Sequence, residues 1–303
     1  VRFVFFDDYR LGRIHDDHVH DVTSALGDLS GLSPQERLLA LIARYGEARE
    51  AIRAAAKSES SATYPLAGLR LRASVPYPAK LICAARNYRE LGHHTTSLPI
   101  EFFLKSPDAI LDPEGTVVLP PHEAKVFHHE AELALVIGKT AKNVAPENAL
   151  DYVFGYTPFC DVSARGLVGG FFIGKSFDTF APIGPVLVTA DEVPNPQALH
   201  VELDVNGEPR QRFGTDDMAN DVRALIAHAS SICTLRPGDV IATGTNHQAL
   251  SPIQEGDRVE IRIEDWPPLR FSVHDPANRS WERVIDPEMA ARARQTGPVT
   301  GRN

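Results

Sequence analysis

Read for the spacing of apolar and polar positions, the chain divides into many short strand-like runs and few helices. Residues 1–6 and the segment around residues 12–22 suggest short strands joined by a polar turn. At Ser33-Pro34-Gln35-Glu36 the pattern predicts a helix start, with Ser33 as N-cap, Pro34 at the first helical position and Glu36 closing a capping box. Leu38, Leu39, Leu41, Ile42 and Tyr45 supply its apolar face, which weakens through residues 52–56 and decays into a polar stretch at 57–62 expected to be a linker or exposed loop. Beyond it, Tyr77-Pro78 reads as a turn, and residues 80–84, 102–105 and 116–119 read as strands. Asn206-Gly207 between residues 201–205 and 208–213 predicts a hairpin with a type I′ turn, whose central residues need positive φ. Residues 146–152 and 221–230 read as helices, Pro237-Gly238-Asp239 and Glu255-Gly256-Asp257 as turns each followed by a strand, and residues 289–295 as a short helix before a disordered end.

One run breaks the strand pattern in a way that implies chemistry. From His128-His129-Glu130-Ala131-Glu132-Leu133 to Gly138 the sequence reads as a buried strand, so Glu130 and Glu132 project from one face while Ala131, Leu133, Leu135 and Ile137 fill the other. Two ionised acids side by side in such a strand repel, and burying them unpaired costs more than the apolar face recovers. Either the strand lies at an edge with its acids in water, or a divalent cation sits between them. The next buried segment, residues 152–160, ends in Asp161, a third carboxylate delivered where a strand stops. Three hard oxygen donors without a thiolate favour Mg2+, Mn2+ or Ca2+ over Zn2+. His128 shares the face of Glu130 and Glu132, either as a nitrogen ligand or as a supporting histidine.

Composition narrows the partners. The 303 residues, 43% hydrophobic, suffice for one large or two modest globular domains, and a formal charge of −9 without a basic stripe argues against nucleic acid or an anionic membrane surface. A small anionic substrate stays compatible with that charge. Cys83, Cys160 and Cys233 are odd in number and widely spaced, as suits a reducing cytoplasm, and all three are expected to be buried thiols. No apolar run is long enough to span a membrane, and no signal-like segment opens the chain. Because it starts at Val1 rather than methionine, a few leading residues are expected to be missing. His15, His18 and His20 could bind metal on one strand, but their acidic neighbours favour a solvated surface.

The ordered blocks from about residue 75 to 273 resemble the fumarylacetoacetate hydrolase superfamily. They are residues 128–139, Gly155-Tyr156-Thr157, Asp161-Val162-Ser163-Ala164-Arg165, residues 174–185, Val205-Asn206-Gly207-Glu208 and residues 237–245. The resemblance implies a β-rich α+β fold with mixed sheets around a metal pocket (residues 75–275), a smaller N-terminal domain (1–74), a C-terminal tail (276–303) and a homodimer. It makes Glu130, Glu132 and Asp161 the ligands of Mg2+ or Mn2+, with Ca2+ also compatible. It sets Lys175 and Arg165 as positive groups at the developing oxyanion, and Gly244, Thr245, Asn87, Tyr88 and Lys105 on the substrate side. A phosphate-loop reading of Gly174-Lys175-Ser176 fails on its upstream glycine spacing.

Three departures from the family pattern stand out, and the first bears on the reaction. Family members with hydrolase or decarboxylase activity carry, after Asn-Tyr, a His three residues on and a Glu three further, which activate water; here those positions hold Leu91 and His94. Leucine cannot move a proton, so either His93 or His94 substitutes as the catalytic base or both are surface histidines. Asn246-His247-Gln248 also replace the usual Pro and Gly, and Gly166 replaces an Asp. The implied activity is metal-dependent hydrolysis of a C–C bond in a β-diketo acid or acylpyruvate. The alternatives are decarboxylation or keto-enol isomerisation of a small anionic keto acid, or a metal-binding scaffold without turnover.

Overall fold

The computed structural model describes residues 1–55, 62–90, 98–288 and 291, and has the strand-rich α+β architecture expected. The polar stretch at 57–61, together with Leu91, His93, His94 and nearly all of the helix expected at 289–295, lies outside these residues. The larger sheet runs, in order of pairing, through Thr63–Pro65, His18–Asp21, Arg10–His15, Arg2–Phe6, Val186–Thr189, Val153–Cys160, Ala131–Ile137, Val240–Ala242, Leu81–Ala85 and Glu101–Lys105. A second sheet joins Glu208–Gly214, His200–Val205, Arg258–Ile263, Leu269–His274 and Thr116–Val118.

Ala131–Ile137 is central in the larger sheet and buried along its whole length, which explains its continuous Ala, Leu, Val and Ile content. Each large aliphatic side chain removed from water there contributes about 2 kcal/mol. The N-terminal strands are not a sheet apart. Arg2–Phe6 pairs antiparallel with Val186–Thr189, so the strands before residue 74 extend the sheet built by the rest of the chain.

Local signals in the sequence recur as geometry. Glu36 accepts from the Ser33 main-chain N–H at 2.8 Å at the start of Pro34–Ala55, which buries Leu38, Leu41, Ile42 and Ile52. Asn206 and Gly207 take φ of 55° and 79° between the paired strands, as a type I′ turn requires. Asp221 caps the helix Val222–Ile232 by accepting from Ala224 N–H at 2.8 Å. Residues Pro146–Tyr152 form a 3-10 helix. Cys83 and Cys160 are buried, but Cys233, just after the Val222–Ile232 helix, is only partly so. Among the described residues no helix is long and apolar enough to cross a membrane.

Candidate metal centre

Register brings the acids together. Ala131–Ile137 and Val153–Cys160 are antiparallel with Ala131 opposite Cys160, so the residue before one strand lies beside the residue after the other. Asp161 N–H accordingly donates to the Glu130 carbonyl at 2.9 Å. Glu130 stands just ahead of its strand and Glu132 within it, and one carboxylate oxygen from each of Glu130, Glu132 and Asp161 lies within 4.8 Å of the others. All three are at most 3% exposed, so the water-facing edge strand is ruled out.

Three cations meet these acids. Lys175 Nζ donates at 2.6 Å to both Glu130 Oε2 and Asp161 Oδ2. Lys105 Nζ pairs with Asp161 and lies 3.3 Å from the Val162 carbonyl, and an Arg165 Nη pairs with Glu130. Burial works to raise the Glu130 carboxyl, but the Lys175 and Arg165 charges overcome it and hold the group well below the usual carboxylate range. Burial likewise works to lower the Lys175 ammonium, and Asp161 and Glu130 reverse it.

Glu132 is the exception. Its Oε2 accepts from Gly244 N–H at 2.8 Å, and among the described residues no Lys or Arg pairs with it. Burial, then the charges of Asp161 and Glu130, push its carboxyl well above the usual range. A divalent cation on the three oxygens would give Glu132 the positive partner it lacks, so the residues present fit Mg2+, Mn2+ or Ca2+. The neighbouring thiols do not argue for zinc: burial, with added repulsion from Asp161 and Glu132, pushes the Cys83 thiol far up, and burial raises Cys160 as well.

The expected substrate-side residues divide. Lys105 is wholly buried, with its ammonium paired to the Asp161 carboxylate. Thr245 Oγ1 donates to the Ala131 carbonyl at 2.7 Å and accepts from Gln211 Nε2 at 2.8 Å; its hydroxyl is committed to the protein, not left for a substrate carboxylate. Gly244, at φ 88°, has the backbone conformation that aims its N–H at Glu132. Asn87 spans the Asn220 and Thr243 carbonyls at 2.9 and 3.0 Å, so its amide anchors backbone, while Tyr88 is buried edge-on against Phe213. His128 Nδ1 accepts from Arg165 Nε at 3.3 Å, as a supporting histidine would.

Sequence reading missed Gln211, whose amide ties four groups: its oxygen accepts from Ala131 N–H at 3.0 Å and His129 Nδ1 at 3.1 Å, and its nitrogen donates to Thr245 and to the Asn246 carbonyl. His129 Nε2 in turn receives Ser251 N–H at 3.4 Å and lies 3.0 Å from Ser251 Oγ. A proton on Nε2 would face a donor, and burial, the main cause, lowers His129 to about 4. The sign follows. The unfolded chain takes up a proton near pH 6.5 and the folded chain only near 4, so stability falls as pH drops through that window, by about 1.4 kcal/mol per unit. Urea unfolding of metal-free protein at pH 7 and pH 5 should therefore show His129→Gln losing about 2 kcal/mol less than wild type; equal losses would refute the assignment.

Comparison with known proteins accords with this geometry. Residues 80–274 match the family described as fumarylacetoacetate (FAA) hydrolase C-terminal. A maleylpyruvate hydrolase from Aquipseudomonas alcaligenes is 37% identical over 282 residues, covering 86% of this chain and 94% of that protein. An oxaloacetate tautomerase from Bacillus subtilis is 39% identical over 218 residues, 66% of this chain and 72% of that one. Among solved structures, maleylpyruvate hydrolase from Sphingobium sp. SYK-6 in complex with manganese(II) and pyruvate superposes with a TM-score of 0.82 at 38% identity, covering 91% of this chain and 99% of that one.

Proposed function

The chain belongs to the fumarylacetoacetate hydrolase family, and we propose that it is a divalent-metal-dependent hydrolase that cleaves a C–C bond in acylpyruvate-type keto acids carrying a second carboxylate. The observation that carries this reading is the charge balance of the site. Three carboxylates are offset by Lys105, Lys175 and Arg165, so a bound divalent ion would leave two positive charges beside the buried acids. A dianionic ligand restores neutrality, and a monoanion does not.

Glu130, Glu132 and Asp161 would hold Mg2+ or Mn2+, Ca2+ being compatible with the same donors. Such an ion would supply Lewis-acid polarisation of a keto group. Lys175 and Arg165 hold fixed positive charge beside the carboxylates, where negative charge develops as the C–C bond breaks. Phe103, whose ring centre lies 5.3 Å from Lys175 Nζ, thins the water there and strengthens those interactions.

The test compares two substrates on the Mn2+-loaded protein, an acylpyruvate ending in a carboxylate and its monoester at that end. A preference of about 100-fold in kcat/KM for the diacid is expected, about 2.7 kcal/mol of transition-state stabilisation; equal values would refute the charge argument. A second reading, keto-enol tautomerisation of a short oxo-diacid, is favoured by Leu91, which puts an inert side chain where the motif has its proton-transferring histidine, and by the likeness to oxaloacetate tautomerases. We further infer a homodimer, on family likeness, and a reducing cytoplasm, on three unpaired cysteines.

A further inference from the structure

Glu90 and His247, 157 positions apart, form a buried pair that the chemistry above leaves unused. His247 Nδ1 lies 2.8 Å from Glu90 Oε1, and the His247 main-chain N–H reaches both carboxylate oxygens at 3.1 and 3.0 Å. Gln248 Nε2 holds the Glu90 carbonyl at 2.6 Å. Glu90 is 2% exposed, and among the described residues no Lys or Arg pairs with it. It also sits at φ 55°, a left-handed conformation that costs a non-glycine residue about 1 kcal/mol or more and persists where the surroundings impose it.

These contacts fix the imidazole. A carboxylate only accepts, so Nδ1 carries the proton, and in the neutral ring Nε2 keeps its lone pair. Nε2 has no partner among the described residues. The loop carrying His247 runs along the acid strand: Thr243 N–H donates to the Leu133 carbonyl at 3.0 Å, Gly244 N–H to Glu132, and Thr245 Oγ1 to the Ala131 carbonyl. His247 follows two residues further along the same loop.

We propose that His247 is the proton-transfer residue of this site and Glu90 its positioning residue, together replacing the pair that the family motif lacks at Leu91 and His94. The assignment rests on the hydrolase reading for its full reaction. His247 Nε2 accepts a proton from water as the water oxygen bonds to the acyl carbon. The electron pair of the breaking C–C bond passes to the pyruvate fragment as its enolate, and His247 returns the proton to that carbon. One water is consumed, a carboxylic acid and a 2-oxo acid leave, and no oxidant or reductant is required.

The test uses the Mn2+-loaded full chain with an acylpyruvate diacid. His247→Ala should lower kcat by about 100-fold or more, with KM and calorimetric Mn2+ affinity near wild type, and added imidazole should restore part of the rate. Glu90→Gln should cost about 10-fold in kcat, and Glu90→Asp should recover much of it. Should His247→Ala lose its fold, His247→Gln, whose amide still donates to Glu90, carries the same expectation. Solvent deuterium exchange into the methyl group of pyruvate reads proton transfer separately from hydrolysis. If wild type hydrolyses and His247→Ala does so unimpaired, or if its loss coincides with lost Mn2+ binding and ignores imidazole, the assignment falls while the hydrolase reading stands. If wild type exchanges without hydrolysing and the variant loses exchange, the hydrolase reading falls and the assignment stands. A wild type that does neither overturns both.

Discussion

Asp161→Asn should abolish Mn2+ binding at micromolar metal and lower kcat/KM by about a thousandfold or more, while destabilising the metal-free protein by about 3 kcal/mol. The stability loss follows from the cations. Lys105 and Lys175 both bond to Asp161 inside the protein, and a neutral amide leaves two buried ammonium groups sharing one fewer negative charge. Glu132→Gln should lose activity to the same degree with the opposite effect on the metal-free fold. Glu132 has no cationic partner among the described residues and its charge is disfavoured by burial and by its two acidic neighbours, so an uncharged isostere leaves stability unchanged or raises it. Chemical unfolding in EDTA, together with calorimetric metal titration, separates the two variants. Equal destabilisation of both would show that Glu132 is compensated by a group other than a metal.

Lys175→Met is expected to cost about 3 kcal/mol in the metal-free protein and about 100-fold or more in kcat. Methionine nearly matches the aliphatic stem, so the loss isolates the ammonium that bridges Glu130 and Asp161 at 2.6 Å. Mn2+ should narrow the stability gap between variant and wild type, because both would then share a cation on the same oxygens. A gap of unchanged size with and without Mn2+ would assign Lys175 to packing rather than to charge.

What the sequence disclosed about this site depended on range. Glu130 and Glu132 were legible because a two-residue period inside an apolar run is a local contradiction, and Asp161 because it ends the next such run. Ser33 with Glu36, and Asn206-Gly207, were legible for the same reason: partner and signal lie within a few residues. Lys105 was visible only by family likeness, as a substrate group, since its contact with Asp161 spans 56 positions. The hub at Gln211 and the Glu90 to His247 bond had no sequence signal, because a glutamine in a hairpin strand and a histidine in a loop look alike whether buried or solvated. Thr245 and Asn87 read as ligand contacts because they are polar residues beside a site, yet buried backbone must also be satisfied, and the structure engages both side chains with main-chain carbonyls.

The attachment of Arg2–Phe6 to Val186–Thr189 has a practical corollary for anyone shortening this protein. A piece starting at residue 75 would keep every proposed metal ligand yet carry Val186–Thr189 as a raw margin of unsatisfied amides, with the cover of Phe3, Phe5 and Leu11 stripped from the interior. Such a margin invites another molecule to zip onto it. Recombinant work on the chemistry should begin upstream of the first strand, and insolubility of a trimmed version would say nothing against the catalytic machinery it still contains.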